Sequence, residues 1–479
     1  MRSYSTLVGA LVLVLLLTAC GGGTPTPRPS NVPTSAQPSN VVVSAQPSAA
    51  PSPEPSFQPA TPATHTTPAT LTTTVPTEVV PSPSGAAASL IPLPSPTIAC
   101  AGGGSTGTLT GALTLWNAYA SDPNASQEQD ALSQALAIVC AENPALQVSV
   151  LSLSYSDLLN AYQQQAPSGS PDLFIAGNDS MYRLAELNLL KNVADAIDAT
   201  KFNKLSVDGS SYTTLAGEQG IWQVPESLKA VALYYNKDTV PTPPATTDDL
   251  MNAVVAGKHL GLVGGATGLY SNIGWWGGFG GKLMDDTGKC VADQGGVADA
   301  LSYLQNLQAA GATFFKDYAD MSAAFKSGNL DMIVDGPWAA ANYLPIFKNL
   351  GVAPMPAGPS GPALPLTSID GYGINPNSAQ SDLAVSFALR MVQPDTEKIF
   401  ADVAYHVPAA APLPSGLNPI STQFAGALQQ GFLNPRTSMF DAFWSNFGNA
   451  MLQVLDEGVD PATAVSDACA AMNHANGIE

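Results

Sequence analysis

Basic residues and histidines are scarce in this sequence. Lysine and arginine together number 17, against 37 aspartates and glutamates, and the formal net charge is −20 at pH 7. A surface of this sign binds nucleic acid and anionic lipid poorly. The 4 histidines are widely separated and no two cysteines form a C-x-x-C pair, so a zinc site is not indicated. We expect no nucleic-acid partner, no metal and no cofactor.

Long apolar runs are also scarce, and the only one lies at the start of the chain. Arg2 precedes the apolar stretch 7–17, which is too short to cross a hydrocarbon layer of ~30 Å but suits a secretory signal. Cys20 directly follows a small residue, as in a bacterial lipobox. We expect residues 1–20 to be a lipoprotein signal peptide and Cys20 to hold the protein on the outer face of the cell membrane. The alternative is an ordinary signal peptide with a chance cysteine.

Large apolar and charged side chains are nearly absent from residues 24–98. The ionisable residues there are Arg28, Glu54, His65 and Glu78. Such a stretch cannot bury enough surface to offset the entropy of ordering it, and frequent prolines keep it extended. We expect residues 21–106 to be a disordered tether rich in proline, serine and threonine.

Four cysteines remain once Cys20 is set apart. They are Cys100, Cys140, Cys290 and Cys469. In an exported chain they predict up to two disulfides, and three pairings are open.

Apolar patterns in the rest of the chain alternate between strand and helix periodicity. Strands are predicted at 113–116, 147–151, 172–176, 230–235 and 331–335, and helices from Ser126 and over 247–256. Ser126 and Gln129 have the spacing of a capping box. This order predicts α/β layers with largely parallel sheets.

Ligands of open α/β sheets bind where strands end and helices begin. Three such positions carry aromatic or polar residues: Trp116-Asn117, Asn178-Asp179 and the segment 336–338. Trp338 is placed to present its ring to a cleft, although a tryptophan there can also fill the helix–sheet core.

Several segments resemble, in order, those of the family 1 extracellular solute-binding proteins of the maltose-binding type. They are 225–238, 241–250, 323–328, 335–338, 371–375 and 441–444. Each is weakly specific alone, but they stay collinear across nearly the whole body from 110 to 475.

The resemblance implies a type II periplasmic-binding-protein fold. Each of its two α/β lobes would be a mainly parallel sheet flanked by helices and discontinuous in sequence. The first lobe would comprise 107–227 and 371–417, and the second 228–370 and 418–479. A ligand would lie between the lobes and pass to the permease of an ABC importer, without catalysis and from a monomeric protein.

The resemblance also implies ligand contacts, which carry over unevenly. Asp179 falls on an acidic position of the family, and three residues fall on aromatic positions: Tyr270, Trp338 and Trp444. Lys229 stands where the maltose binder has a carboxylate. Other family contacts are replaced here, by Ala120, Ser121, Ala176 and Gly268.

Three further candidates come from the residues themselves. Asn117 follows the first predicted strand, and Asp370 and Tyr372 flank Gly371 in a predicted hinge strand. A structural role at a turn is the alternative for Asp370. The glycine-rich aromatic cluster 275–281 is more typical of lobe packing than of a ligand site.

This mixture of side chains suits a sugar. Aromatic rings cover the apolar C–H faces of a pyranose, while carboxylates and amides bind its rim of hydroxyls. We expect an oligosaccharide, such as a maltodextrin-like glycan. A polyamine or a ferric ion is the alternative within the binding class. For iron the reason is that it is usually bound by paired tyrosines, such as Tyr234 and Tyr235.

A secreted glycoside hydrolase is the rival outside the binding class. It needs two carboxylates about 5–5.5 Å apart for retention, or about 6.5–9.5 Å apart for inversion. Asp179, Glu226 and Asp370 are the candidates, but none belongs to a hydrolase motif.

Overall fold

The computed structural model describes residues 93–119 and 126–478. The predicted signal peptide, Cys20 and the tether as far as residue 92 lie outside these residues. Fifteen strands are described. They are β1 (Thr97–Ala101), β2 (Gly111–Asn117), β3 (Leu146–Ser152), β4 (Leu173–Gly177), β5 (Ser211–Thr213), β6 (Gln219–Ile221), β7 (Val224–Lys229), β8 (Ala232–Asn236), β9 (Leu260–Val263), β10 (Thr313–Phe315), β11 (Met332–Asp335), β12 (Leu350–Ala353), β13 (Leu366–Ile374), β14 (Val407–Pro408) and β15 (Phe432–Leu433).

Fifteen α-helices are described in the same residues. They are α1 (Ser126–Glu142), α2 (Tyr155–Gln165), α3 (Met181–Glu186), α4 (Lys204–Ser210), α5 (Thr247–Val255), α6 (Leu269–Asn272), α7 (Gly274–Gly278), α8 (Val297–Ala310), α9 (Tyr318–Lys326), α10 (Ala340–Tyr343), α11 (Ser381–Met391), α12 (Pro394–Ala404), α13 (Pro419–Ala427), α14 (Phe443–Asp456) and α15 (Pro461–Ala475). None of these helices is both long and apolar enough to cross a bilayer.

Two sheets form the framework. The first has the order β1-β3-β2-β4-β13-β7-β14, with β15 paired to β13, and the second has the order β10-β9-β11-β8-β12. A small hairpin, β5-β6, stands apart. The chain leaves the first sheet at the end of β7, enters the second at β8 and returns along β13. We retain the proposed division into two lobes at these crossings.

Both sheets are mixed, which corrects the expectation of mainly parallel sheets. Strands joined by local helical crossovers are parallel, as are β2 with β3 and β9 with β10. Strands next to the crossings are antiparallel, as are β13 with both β4 and β7 and β8 with β11. A strand that returns from the other lobe enters from the opposite end of the sheet, so its direction is reversed.

Helices cover both faces of each sheet. Helices α1, α11 and α12 bury their apolar faces on one side of the first sheet, and α2 and α3 on the other. Helices α5, α8, α14 and α15 cover one side of the second sheet, and α9, α10 and α13 the other. Sheets buried on both faces leave their strand ends as the places where polar side chains reach a cavity.

Most predicted elements form within about two residues of their expected ends. Strands β2, β3, β4 and β11 and helices α1 and α5 are confirmed. The predicted strand at 230–235 is also confirmed: it is β8, which begins two residues later than expected. The capping box at Ser126 was wrong: Ser126 already lies inside α1, and the Gln129 amide donates to the carbonyl oxygen of Tyr119 at 2.9 Å.

Two disulfides form, and the structure selects one of the three pairings. Cys100 joins Cys140, and Cys290 joins Cys469. The first links β1 to α1. The second links a turn before α8 to the C-terminal helix α15.

The folded part begins earlier than the predicted tether boundary at 106. Thr97–Ala101 pairs antiparallel with β3 as an edge strand, and Cys100 is buried. The pairing uses backbone groups, so it needs few apolar side chains, and composition alone did not indicate it.

Candidate ligand-binding site

A cavity of about 400 Å³ lies where the carboxyl ends of strands from both sheets meet. The turns after β2 and β4 contribute from the first sheet, and those after β9 and β11 from the second. The lining residues are Ala118, Tyr119, Glu128, Tyr155, Ala176, Gly177, Asp179, Lys229, Tyr270, Trp338, Ser368 and Asp370. This is the location expected for the ligand site of an open α/β sheet.

Asp179 lies in the turn after β4, which its neighbour Asn178 fixes. The Asn178 side chain donates to the carbonyl oxygen of Gly209 at 2.8 Å and accepts from the backbone N–H of Ile369 at 3.0 Å. Asp179 itself opens onto the cavity and accepts hydrogen bonds from the Tyr155 hydroxyl, the Ser368 hydroxyl and the Asn434 amide. Burial in the cavity walls and the charge of the nearby Asp370 raise the pKa of Asp179.

Trp338 contributes an aromatic wall from the second sheet. Its ring folds back over Gly336, where a Cβ would lie only 2.1–2.4 Å from the ring atoms. Only glycine permits this approach. Tyr270 stands beside Trp338, with ring centroids 6.1 Å apart.

Asp335 supports the turn that carries Trp338. Burial raises the pKa of Asp335 to about 7. Hydrogen bonds from the Tyr343 hydroxyl and the Gly336 N–H act in the opposite direction and lower it. A second glycine, Gly268, shapes the turn before Tyr270, because a Cβ there would lie 2.0 Å from the carbonyl oxygen of Val263. The backbone conformation of this turn therefore requires glycine at position 268.

An ion cluster forms the floor of the cavity. The Lys229 ammonium lies 2.5 Å from the Asp370 carboxylate and 3.2 Å from that of Glu128. Burial raises the pKa of Asp370, and the Lys229 charge opposes that shift. Burial also acts to raise the pKa of Glu128, but Lys229 and His406 together lower it to about 2. Glu128 is therefore ionised at neutral pH and paired with the Lys229 ammonium.

The cluster continues away from the cavity through His406. The Nε2 atom of His406 lies 3.2 Å from Glu128, and Nδ1 lies 2.9 Å from the carboxylate of Glu226. Burial lowers the pKa of His406, but the charges of Glu226 and Glu128 outweigh burial and raise it to about 10. Glu226 is fully buried and does not line the cavity, so it is not available as one of the hydrolase carboxylates.

Glu397 lies near Glu226 and is 1% exposed. Neither of its carboxyl oxygens has a hydrogen bond of normal geometry in the described structure, although the Ala410 backbone N–H is close. Burial and the Glu226 charge raise the pKa of Glu397 to about 9. The side chain is therefore protonated at neutral pH.

Replacing Glu397 by glutamine is expected to remove a loss of stability at alkaline pH. The folded protein keeps a proton that the unfolded chain releases above about pH 4.5, so its free energy of unfolding falls as pH rises toward about 9. Between about pH 5 and about pH 8 this loss is on the order of 3 kcal/mol. Urea unfolding at both pH values would measure it. The exposed Glu457→Gln serves as control, and an equal dependence on pH in wild type and Glu397→Gln would contradict the assignment.

The structure brings five of the eight predicted contact residues to the cavity. They are Asp179, Lys229, Tyr270, Trp338 and Asp370. Asn117, Tyr372 and Trp444 lie elsewhere.

Each of the three has a clear structural position. Asn117 is fully buried, and its side chain accepts from the backbone N–H of Tyr119 at 3.1 Å, so it shapes the turn that leads to the cavity. Tyr372 shares a face of β13 with Asp370, but it lies farther along the strand, in the core with α11 and α12. Trp444 is 40% exposed at the start of α14 and packs on Phe443.

Three polar cavity residues were not identified from the sequence. Tyr155 and Glu128 lie in the first turns of α2 and α1, and Ser368 lies two residues before Asp370 on the same face of β13. The alternation of β13 could have indicated Ser368. Tyr119 also lines the cavity, and its buried hydroxyl has no hydrogen-bond partner among the described residues.

Contacts between the two lobes lie beyond the cavity. The Arg183 guanidinium lies 2.8 Å from Asp441, and the Tyr182 hydroxyl donates to the same carboxylate at 3.1 Å. Both charged side chains are about half exposed, so this pair contributes little to stability on its own.

A larger cavity of about 730 Å³ lies between the β5-β6 hairpin and the segment 432–439. None of the eight predicted contact residues lines it. Its lining includes Asn434, whose amide also binds Asp179.

Comparison with known sequences places the chain in a family. Residues 125–393, more than half of the chain, match the bacterial extracellular solute-binding proteins. The chain belongs to that family. The order of segments that suggested the family from sequence is therefore confirmed.

Two curated proteins are similar to this solute-binding protein. The maltodextrin-binding protein MdxE of Bacillus subtilis is 27% identical over 244 residues, which are 45% of this chain and 54% of that protein. The chain thus spans about half the length of that relative. The maltooligosaccharide ABC transporter solute-binding lipoprotein of Streptococcus pneumoniae is 24% identical. The match covers 62% of this chain and 74% of that protein.

Solved structures confirm the two-lobed periplasmic-binding-protein fold. The maltotriose-binding protein of Thermus thermophilus, bound to maltotriose, superposes with a TM-score of 0.63. The match covers 76% of this solute-binding protein and all of that chain, at 22% identity.

Proposed function

We propose that this solute-binding protein captures an oligosaccharide of the maltodextrin class and delivers it to the permease of an ABC importer. The observation that carries the proposal is the cavity between the sheets, which combines aromatic rings with carboxylates. Tyr155, Tyr270 and Trp338 offer ring faces, and Asp179 and Asp370 offer acceptors. Such a combination matches the apolar faces and hydroxyl rim of a sugar.

Two relatives support this choice of ligand. By name, one binds maltodextrin and the other serves a maltooligosaccharide ABC transporter. Lys229 adds a donor to the cavity, so both kinds of hydrogen-bonding group are present for a ligand.

Binding would work by hinge closure. The cavity takes side chains from turns of both sheets, so a ligand makes its full set of contacts only when the lobes are together. Its greater affinity for the closed form shifts the equilibrium toward that form. The permease would recognise the closed protein, and no bond in the ligand needs to break.

The proposal includes the attachment of the protein. Cys20 would carry lipid and hold a monomeric receptor on the outer side of the cell membrane. The Streptococcus pneumoniae relative is itself named a lipoprotein. A tethered receptor stays near its permease at a raised effective concentration.

The test is calorimetric titration of the full chain with maltotriose, with cellotriose as a control for linkage. We expect saturable binding of maltotriose, a higher melting temperature and no release of reducing ends. Release of reducing ends would favour the hydrolase, and binding of spermidine or ferric citrate in place of maltooligosaccharides would favour the other solutes. Absence of binding across a panel of oligosaccharides at millimolar concentration would refute the proposal.

A further inference from the structure

The ion cluster on the cavity floor reaches deeper than a ligand can. It runs from Asp370 through Lys229 and Glu128 to His406 and Glu226, with successive contacts of 2.5, 3.2, 3.2 and 2.9 Å. The first three residues line the cavity, whereas His406 and Glu226 are buried behind it. The cluster links the first turn of α1 to β7, β13 and the residue before β14.

The geometry fixes the protonation of His406. Each of its ring nitrogens faces a carboxylate, Nδ1 toward Glu226 and Nε2 toward Glu128. Ionised carboxylates only accept hydrogen bonds, so both nitrogens must donate and the ring is an imidazolium. Phe400 stacks on the ring at 5.4 Å between centroids and limits its rotation.

Lys229 is the cavity group that depends on this arrangement. An ammonium has three N–H donors, and Asp370 and Glu128 take two of them. The third remains for an acceptor in the cavity. The direction of this third N–H bond depends on the positions of the two carboxylates. His406 in turn fixes the position of Glu128.

We propose that His406 is a positioning residue for ligand binding: its imidazolium holds Glu128 against Lys229 and so orients the donor that Lys229 presents to the ligand. This rests on the proposed function. His406 touches no ligand itself. It also helps to keep Glu128 ionised, because its hydrogen bond and its charge lower the pKa of that carboxyl. The titratable groups that face the ring are Glu128 and Glu226, with Lys229, Asp370 and the protonated Glu397 beyond them.

The test measures maltotriose affinity of the full chain by calorimetry at about pH 8 and about pH 3.5. In His406→Gln the pKa of Glu128 rises toward its ordinary value of 4.5, so acidification below that value neutralises Glu128 and weakens its hold on Lys229. We expect a loss of affinity that is about tenfold larger at about pH 3.5 than at about pH 8, relative to wild type. The exposed His259, paired with Asp331 at 3.3 Å, supplies the control His259→Gln, which should behave as wild type.

Glu128→Gln keeps the shape of the side chain. It provides a second test of the inference if His406→Gln does not fold. It should weaken binding without the added pH dependence. Because His406 acts through Glu128, the double variant should bind no more weakly than Glu128→Gln alone. Additive losses would overturn the inference.

Nuclear magnetic resonance of labelled imidazoles gives a readout independent of ligand. The His406 resonance, assigned by its loss in His406→Gln, should remain that of an imidazolium at about pH 8. A neutral ring would overturn the inference. If wild type binds maltotriose and His406→Gln binds it with the same affinity and pH profile, the inference is refuted but the proposed function stands. Wild type that binds no oligosaccharide would refute the proposed function and the inference with it.

Discussion

Replacing Trp338 by alanine is expected to weaken maltooligosaccharide binding about 100-fold, equal to about 2.7 kcal/mol. In the part of the chain that the structure describes, Trp338 is the one tryptophan that lines the cavity, and alanine would remove its ring without disturbing the carboxylates opposite. The turn should survive, because Gly336 and the hydrogen bonds to Asp335 fix its backbone. Calorimetric titration would measure the loss, and near-ultraviolet circular dichroism would confirm that the variant is folded.

Trp444 supplies a matched control that also separates two hypotheses. The sequence resemblance assigns it a stacking role, but the structure places it on the surface against Phe440 and Phe443. Trp444→Ala should therefore leave affinity within about twofold of wild type. A comparable loss in both variants would mean that the ligand extends to α14 and that the cavity is only part of the site.

Removing the disulfide between Cys290 and Cys469 is expected to lower the free energy of unfolding by about 5 kcal/mol in the chain-entropy account. The two cysteines are 179 residues apart, so the bond restricts a very long loop in the unfolded chain. Both side chains are buried, and α15 packs against α14 and α8 at this point. Urea unfolding of the double variant Cys290→Ala/Cys469→Ala would measure the loss.

The other disulfide is the internal comparison. Cys100 and Cys140 are 40 residues apart, for which the same account gives about 4 kcal/mol. Its removal frees an edge strand that can detach while the rest of the sheet stays paired, so the measured loss should be smaller still. An equal or larger loss for Cys100→Ala/Cys140→Ala would contradict this ranking.

Local patterns predicted the elements of the fold well. The strand before Asp179 and the turn at 336–338 follow from alternation and from proline at a helix start, and both turns reach the cavity. These features depend on neighbours in sequence. The same holds for the α/β class, which the alternation of strand and helix indicates.

It was harder to predict which residues of a strand reach the cavity. Asp370 and Tyr372 lie on one face of β13, and alternation alone gives them the same environment. The difference arises where α11 and α12 stop covering that face, which is a tertiary property. Asn117 was misplaced for a similar reason, because its side chain turns back to the backbone of Tyr119 instead of into the cavity.

Long-range partners could not be read from sequence at all. His406 meets Glu128 across 278 residues, and no motif marks either residue. The cysteine pairing was likewise left open among three possibilities. Both depend on which strands become neighbours after the chain has crossed between the lobes.

The edge strand β1 has a mechanical consequence. Its backbone ladder with β3 and the bond from Cys100 to Cys140 would take up a pull that arrives along the preceding chain. The hinge strands β13 and β7 lie across the sheet, beyond β3, β2 and β4. Under the proposed attachment, tension would therefore load the β1 rim of the first sheet, three strands away from β13.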